Sequence, residues 1–168
     1  MNSQIHLRRI QFTDVDSTWA LIDLLKEEGA DMSFTELTTK DEVLQWIENP
    51  ALLTYVAVTT TEPARVLCLV RGRRDLNPEK SHAAFLTAAT HPDARGTGLA
   101  AELTNYALSK MKNEGVNIAR IYVYSDNISS LNAVRKLGFV HAGTVLRHHQ
   151  DQKSSEYVDD LIFHKLLD

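Results

Sequence analysis

The residue types with the clearest chemistry fall in one stretch, Arg95-Gly96-Thr97-Gly98-Leu99-Ala100. An apolar run from Ala84 to Thr90 precedes it, followed by a turn at His91-Pro92-Asp93. Beyond it Leu99, Leu103, Tyr106, Ala107 and Met111 recur at helical spacing. Strand, glycine-rich turn and helix together bring backbone N–H groups to a helix N-terminus. There the free amides and the helix dipole both favour a phosphate. Gly96 and Gly98 lack a Cβ and let a ligand approach the backbone closely. Arg95 adds a fixed charge with a forked donor geometry suited to phosphate.

Two nucleotide-binding patterns can be tested against this turn. A triphosphatase loop needs Gly, four residues and then Gly-Lys-Ser/Thr. Counted from Gly96, the second glycine falls on Ala101, so the pattern fails. A dinucleotide fingerprint, G-x-G-x-x-G/A, fits Gly96 to Ala101 literally. That fold needs further strand–helix units, yet the turn sits mid-chain and about one more such pair follows. The acidic residue expected roughly 20 positions on is only loosely offered by Asp126.

A chain of 168 residues with 43% hydrophobic and 24% charged residues suits one globular domain, 1–168. A net charge of −4 gives no general attraction for nucleic acid or an anionic membrane. No apolar run approaches a bilayer span, and MNSQIHLRR has no apolar signal core. The lone Cys68, inside VLCLV, allows no internal disulfide and reads as a small core residue. These features predict a cytoplasmic protein.

The elements that must position the turn can be read in order. Ile5–Ile10 alternates as a strand. Asp14 or Asp16 caps a predicted helix running to about Glu28, and a short helix spans Asp41 to Glu48. Strand-like runs follow at 52–60 and 65–71, then the strand entering the glycine turn from about His82. After the helix come a strand at Ile118–Tyr124, a short helix with Leu131, Val134 and Leu137 on one face, and two closing strands. This order is mixed α/β without regular strand–helix alternation.

The segment Arg95–Ala100 resembles the pyrophosphate loop of the GCN5-related N-acetyltransferases, R/Q-x-x-G-x-G/A, at every specified position. Asn127-Ile-Ser-Ser130-Leu-Asn-Ala-Val134-Arg-Lys-Leu-Gly138-Phe139 resembles a second segment of that family, and Glu156 to Leu161 is similar to its last strand. The likeness covers about residues 82–166. It implies an α/β fold with a mostly antiparallel central sheet flanked by helices, and acetyl-CoA as co-substrate with no metal. The implied reaction is direct transfer of an acetyl group to a primary amine of a small molecule or a protein N-terminus. Residues 82–140 would then hold the cofactor: the loop Arg95, Gly96, Thr97, Gly98, Leu99 and Ala100 its pyrophosphate, and Ala88, Thr90 and Asn127 its pantetheine arm. The acceptor would lie between 14–48 and 146–157, where Asp31, Glu36, Asp159 and Asp160 could attract a cationic amine. Family members often pair through late strands, so the resemblance admits a homodimer.

The catalytic residues follow the family less closely. Its usual general acid, a Tyr on the short helix, is replaced by Val134. Ser130 matches a Ser thought to sit by the thiolate in one subgroup; it could equally be a helix-start residue satisfying a backbone N–H. Tyr124 and Tyr157 are other possible donors. No carboxylate lies between Ser81 and Thr90. His82 falls on the side of Ala84, Ala88 and Thr90 if alternation holds, and a histidine titrates in the range needed to take an ammonium proton. It could equally be a surface residue at a strand end. His148-His149 point to opposite faces of a strand and lack a third ligand. The departure at Val134 leaves open a catalytically silent acyl-CoA-binding protein on the same fold.

Overall fold

The computed structural model describes residues 4–29 and 33–168. Asp31 lies outside them. Seven strands form one sheet: β1 Ile5–Arg9, β2 Leu52–Thr59, β3 Val66–Arg74, β4 Ala83–Thr90, β5 Ile118–Tyr124, β6 Val140–Gln150 and β7 Tyr157–Leu166. Their order is β1-β2-β3-β4-β5-β7-β6. Every neighbouring pair is antiparallel except β4 and β5. These two run parallel because the helix α3, Leu99–Asn113, carries the chain back between them. The sheet is therefore mixed and mostly antiparallel. No helix among the described residues is long and apolar enough to cross a membrane.

Helices cover the two faces unequally. On one face α3 and the short helix α4, Ile128–Lys136, pack their apolar residues on the sheet. Leu103, Ala107 and Met111 of α3 and Leu131 and Val134 of α4 share a core with Ala84 and Leu86 of β4. The approach is close at Gly72, where a Cβ would come within 2.6 Å of the Met111 methyl group. On the other face α1, Val15–Glu27, and α2, Asp41–Glu48, bury Leu21, Ile22, Leu25, Val43 and Trp46. Their partners are Val56, Val58, Leu69 and Ala89. Alternation puts even-numbered β4 residues toward α3 and odd-numbered ones toward α1 and α2. Tyr122 and Val140, on the α1–α2 side of the sheet beyond β4, remain exposed.

One helix start differs from expectation, while α2 keeps the expected Asp41–Glu48. Asp14 precedes α1 but makes no cap bond to it. Its buried carboxylate accepts both arms of the Arg8 fork, at 2.6 and 2.8 Å, and the Gln11 N–H at 2.8 Å. A 3-10 turn at Phe12–Asp14 feeds α1 instead, so the pair fastens the helix entrance to β1. At α2, Glu42 reaches back to the N–H groups of Thr38 and Thr39, both at 2.7 Å. Those bonds hold its carboxyl below the usual range.

Removing the Arg8 side chain would leave the Asp14 carboxylate buried and short of its charged partner. Arg8→Ala is expected to cost about 2–3 kcal/mol in urea unfolding, the penalty of an uncompensated, nearly buried charge.

Candidate active site

The glycine turn is held by its own polar atoms. His91 Nδ1 accepts the Asp93 N–H at 3.1 Å, and Thr97 Oγ1 donates to the Ala94 carbonyl at 2.6 Å. Gly96 and Gly98 adopt φ +73° and +84°, a left-handed backbone that a side chain strains. A Cβ at either position would meet nothing within 4 Å, so the space above the turn is open. Among the described residues the N–H groups of Gly96 and Gly98 have no acceptor. Gly98 also begins α3, whose first-turn amides at Leu99 and Ala100 have no carbonyl one turn back. An anion fits this cradle in both charge and room. Arg95 is tied by an ion pair to Glu28 at 2.7 Å, which fastens the turn to the end of α1.

The second component is a gap in the sheet. The parallel ladder of β4 and β5 runs from Ala83–Ile118 to Leu86–Ile121 and stops. Beyond it β4 stays paired to β3 as far as Thr90, and β5 to β7 as far as Tyr124. His91 donates to the Leu67 carbonyl at 2.7 Å. Hydrogen-bonding direction alternates along a strand, so Thr87 and Ala89 also bond toward β3. Ala88 and Thr90 turn their N–H and C=O groups toward β5, where no strand meets them. Ala88 is exposed. An extended, amide-bearing chain fits such a gap.

At the end of β5, Asn127 caps α4: its Oδ1 accepts the Ser130 N–H at 3.1 Å. The cap thus belongs to Asn127, and the Ser130 hydroxyl takes no part in it. Val134 is buried in the α3-side core, which explains an apolar residue at that position. Tyr124 stacks on His149, ring centroids 5.0 Å apart. Tyr157 is exposed beneath Arg147.

His82 lies one residue before β4 and is exposed. It is four residues, about 13 Å of strand, from the last β4–β5 pair at Leu86. A recess of about 530 Å³ runs from His82 past Arg73, Lys80 and Arg120 to Phe85, beside Leu86. Phe85 stacks on Tyr122 across the start of the gap at 5.2 Å.

The four carboxylates offered for the acceptor divide. Glu36 is exposed, and Asp159 Oδ1 accepts the Arg147 N–H at 2.8 Å. Asp160 is no solvated surface charge: it is 6% exposed, and its Oδ1 has no hydrogen-bond partner. It pairs with Tyr124 in register, at the open end of the gap. Burial pushes its carboxyl above the usual range, and the nearby charges of His148 and His149 pull it back. Its position in a run of two aspartates gave no sign of this; strand alternation alone could have marked it as facing inward.

The model of the GNAT family of acetyltransferases matches residues 19–139, and the chain belongs to that family. Solved structures agree in fold. A GNAT-family acetyltransferase from Streptococcus pneumoniae superposes with a TM-score of 0.83 at 17% identity, covering 97% of this chain and 99% of that one. Ribosomal-protein-alanine N-acetyltransferase from Brucella melitensis gives 0.81 at 19%, covering 96% and 99%. The protein yncA from Salmonella typhimurium, solved with its cofactor acetyl-CoA, gives 0.82 at 15%, covering 98% and 94%. No curated protein matches the sequence.

The Asp160 environment sets a pH signature. Its carboxyl is raised in the folded state, so the folded protein holds that proton to higher pH than the unfolded chain. Its contribution to stability therefore falls as pH rises from the ordinary aspartate value through the raised one, and is not regained above it. Asp160→Asn should raise Tm by a few degrees at pH 7, with the gain vanishing below pH 4 in a calorimetric series.

Proposed function

We propose that this protein transfers the acetyl group of acetyl-CoA to a primary amine, of a small molecule or a protein N-terminus, by direct attack in a ternary complex. One observation carries this reading. The β4–β5 ladder stops at Leu86, and β4 leads on into a glycine turn whose Gly96 and Gly98 amides are free among the described residues and whose approach is open. One region thereby offers a polyanion cradle and a slot with backbone donors and acceptors.

In this proposal residues 1–168 form one domain, and 82–140 hold the cofactor. The amides of Gly96, Thr97, Gly98, Leu99 and Ala100 grip the pyrophosphate, and Arg95, already paired to Glu28, adds positive potential. The backbone of Ala88 and Thr90 receives the pantetheine arm, with Asn127 alongside. Acetyl-CoA supplies the activated acyl group. The acceptor enters between 14–48 and 146–157, over the uncovered part of the sheet.

The amine attacks only as the free base, so a proton must leave. His82 receives it through water in the recess that connects it to Phe85. The Ser130 hydroxyl, unused by the α4 cap, donates to the leaving sulfur. A homodimer would form through β6, the edge strand.

The first test is calorimetric titration with acetyl-CoA, with NADH as control. Gly98→Asp should abolish binding, because a carboxylate would sit where the pyrophosphate binds. Gly115 ends α3 with φ +87° and equally open space. Gly115→Asp carries the same backbone strain and should bind as wild type. Equal binding by both variants would sink the assignment.

Thiol release over pooled amines tests turnover. His82→Ala and Ser130→Ala should each lower kcat about tenfold or more while leaving acetyl-CoA affinity unchanged. Binding without release from any amine pool or N-terminal peptide would instead identify a silent acyl-CoA-binding protein.

A further inference from the structure

The α1–α2 face of the sheet carries a charge that no described residue pairs with. Arg71 of β3 lies between two aromatic rings, its guanidinium carbon 4.8 Å from the Phe34 centroid and 4.8 Å from that of Trp46. Both rings are buried, 5.0 Å apart. The Arg71 Nε is sealed from solvent and has no hydrogen-bond partner, and Arg71 makes no ion pair among the described residues. Five arginines elsewhere are answered. Arg8 meets Asp14, Arg9 meets Glu114, Arg65 meets Asp93, Arg95 meets Glu28, and Arg74 donates to the Glu114 carbonyl. Burial, reinforced by the neighbouring Arg73 charge, pushes the Arg71 pKa down to about 10, against a weaker opposite pull from Glu36.

A half-buried guanidinium whose Nε is sealed and unbonded is costly, and one carboxylate matches its fork in shape and charge. Arg71 is paired in register with Thr87, the first β4 residue beyond the last β4–β5 rung. Their Cα atoms are about 5.5 Å apart, as in any hydrogen-bonded antiparallel pair. An anion on Arg71 therefore lies beside the point where the sheet opens.

We propose that the acceptor is an amine bearing a carboxylate, and that Arg71, stacked on Phe34 and Trp46, binds that carboxylate and so places the amine at the β4–β5 opening. This rests on the acetyl-transfer reading and gives it a substrate class. Arg71 is a substrate-binding residue here, separate from proton transfer and from the cofactor cradle. A cationic acceptor such as a polyamine would instead face the Arg71 charge, with Arg73 and Arg120 lining the separate recess at Phe85.

The experiment compares amino acids with their carboxamides and decarboxylated amines as acceptors, in wild type and in Arg71→Met. Methionine keeps the stem on the rings and removes the charge. Wild type should favour the carboxylates by at least about tenfold in kcat/KM, as expected for a charge-assisted pair. Arg71→Met should lose that preference through KM and bind acetyl-CoA as before.

A second measurement does not depend on turnover. Carboxylate binding should change Trp46 fluorescence in wild type without acetyl-CoA, and not in Arg71→Met; the carboxamides should change neither. Failure of acetyl-CoA binding would overturn the acetyl-transfer reading while leaving this fluorescence test standing. A carboxylate preference that survives in folded Arg71→Met, a wild-type preference for carboxamides or phosphate-bearing amines, or no fluorescence response would each overturn the Arg71 assignment.

Discussion

The structure depends on one broken ladder. Strands β4 and β5 share four rungs and then part, each keeping its other neighbour. A strand edge inside a sheet leaves backbone N–H and C=O groups that must find partners. Here the edge opens beside the glycine turn, so Ala88 and Thr90 offer their groups to whatever enters from that side. The rest of the chain keeps this gap open. The β3 ladder holds β4, β7 holds β5, and α3 locks against Gly72, opposite the last rung at Leu86.

Charge is arranged around the same opening. The turn end presents free amides and the start of the α3 dipole. The α1–α2 face presents Arg71, unpaired among the described residues, and the far margin presents a buried Asp160 with an unbonded oxygen. A sealed Arg71 Nε and a buried Asp160 oxygen without hydrogen-bond partners are costly, in contrast to the fully bonded Arg8–Asp14 fork. Such strain is tolerated where a ligand relieves it.

Much of the fold was legible because its signals are local. The helical spacing after Gly98, the stop at Gly115, and the apolar run from Ala84 to Thr90 each reflect period and turn chemistry within a few residues. The glycine spacing also marked the cradle, since left-handed φ at Gly96 and Gly98 is a property of the chain itself. Reading Asp14 as a helix cap failed because its preferred partner, Arg8, lies on the neighbouring strand. The burial of Asp160 was not legible, because it is conferred by the sheet and not by neighbours in sequence.

The sequence by itself determined the element types, the turn and the family, because these rest on residue spacing and backbone preference. Only the tertiary structure decided that Arg95 is tied to Glu28, that Val134 is core, and that the α4 cap leaves the Ser130 hydroxyl free. It alone set Arg71, which follows β2, between Phe34 and Trp46, which both precede it. The physical reason is the same in each case. Whether a charge is answered depends on distance through space, and the order of residues along the chain does not contain that distance.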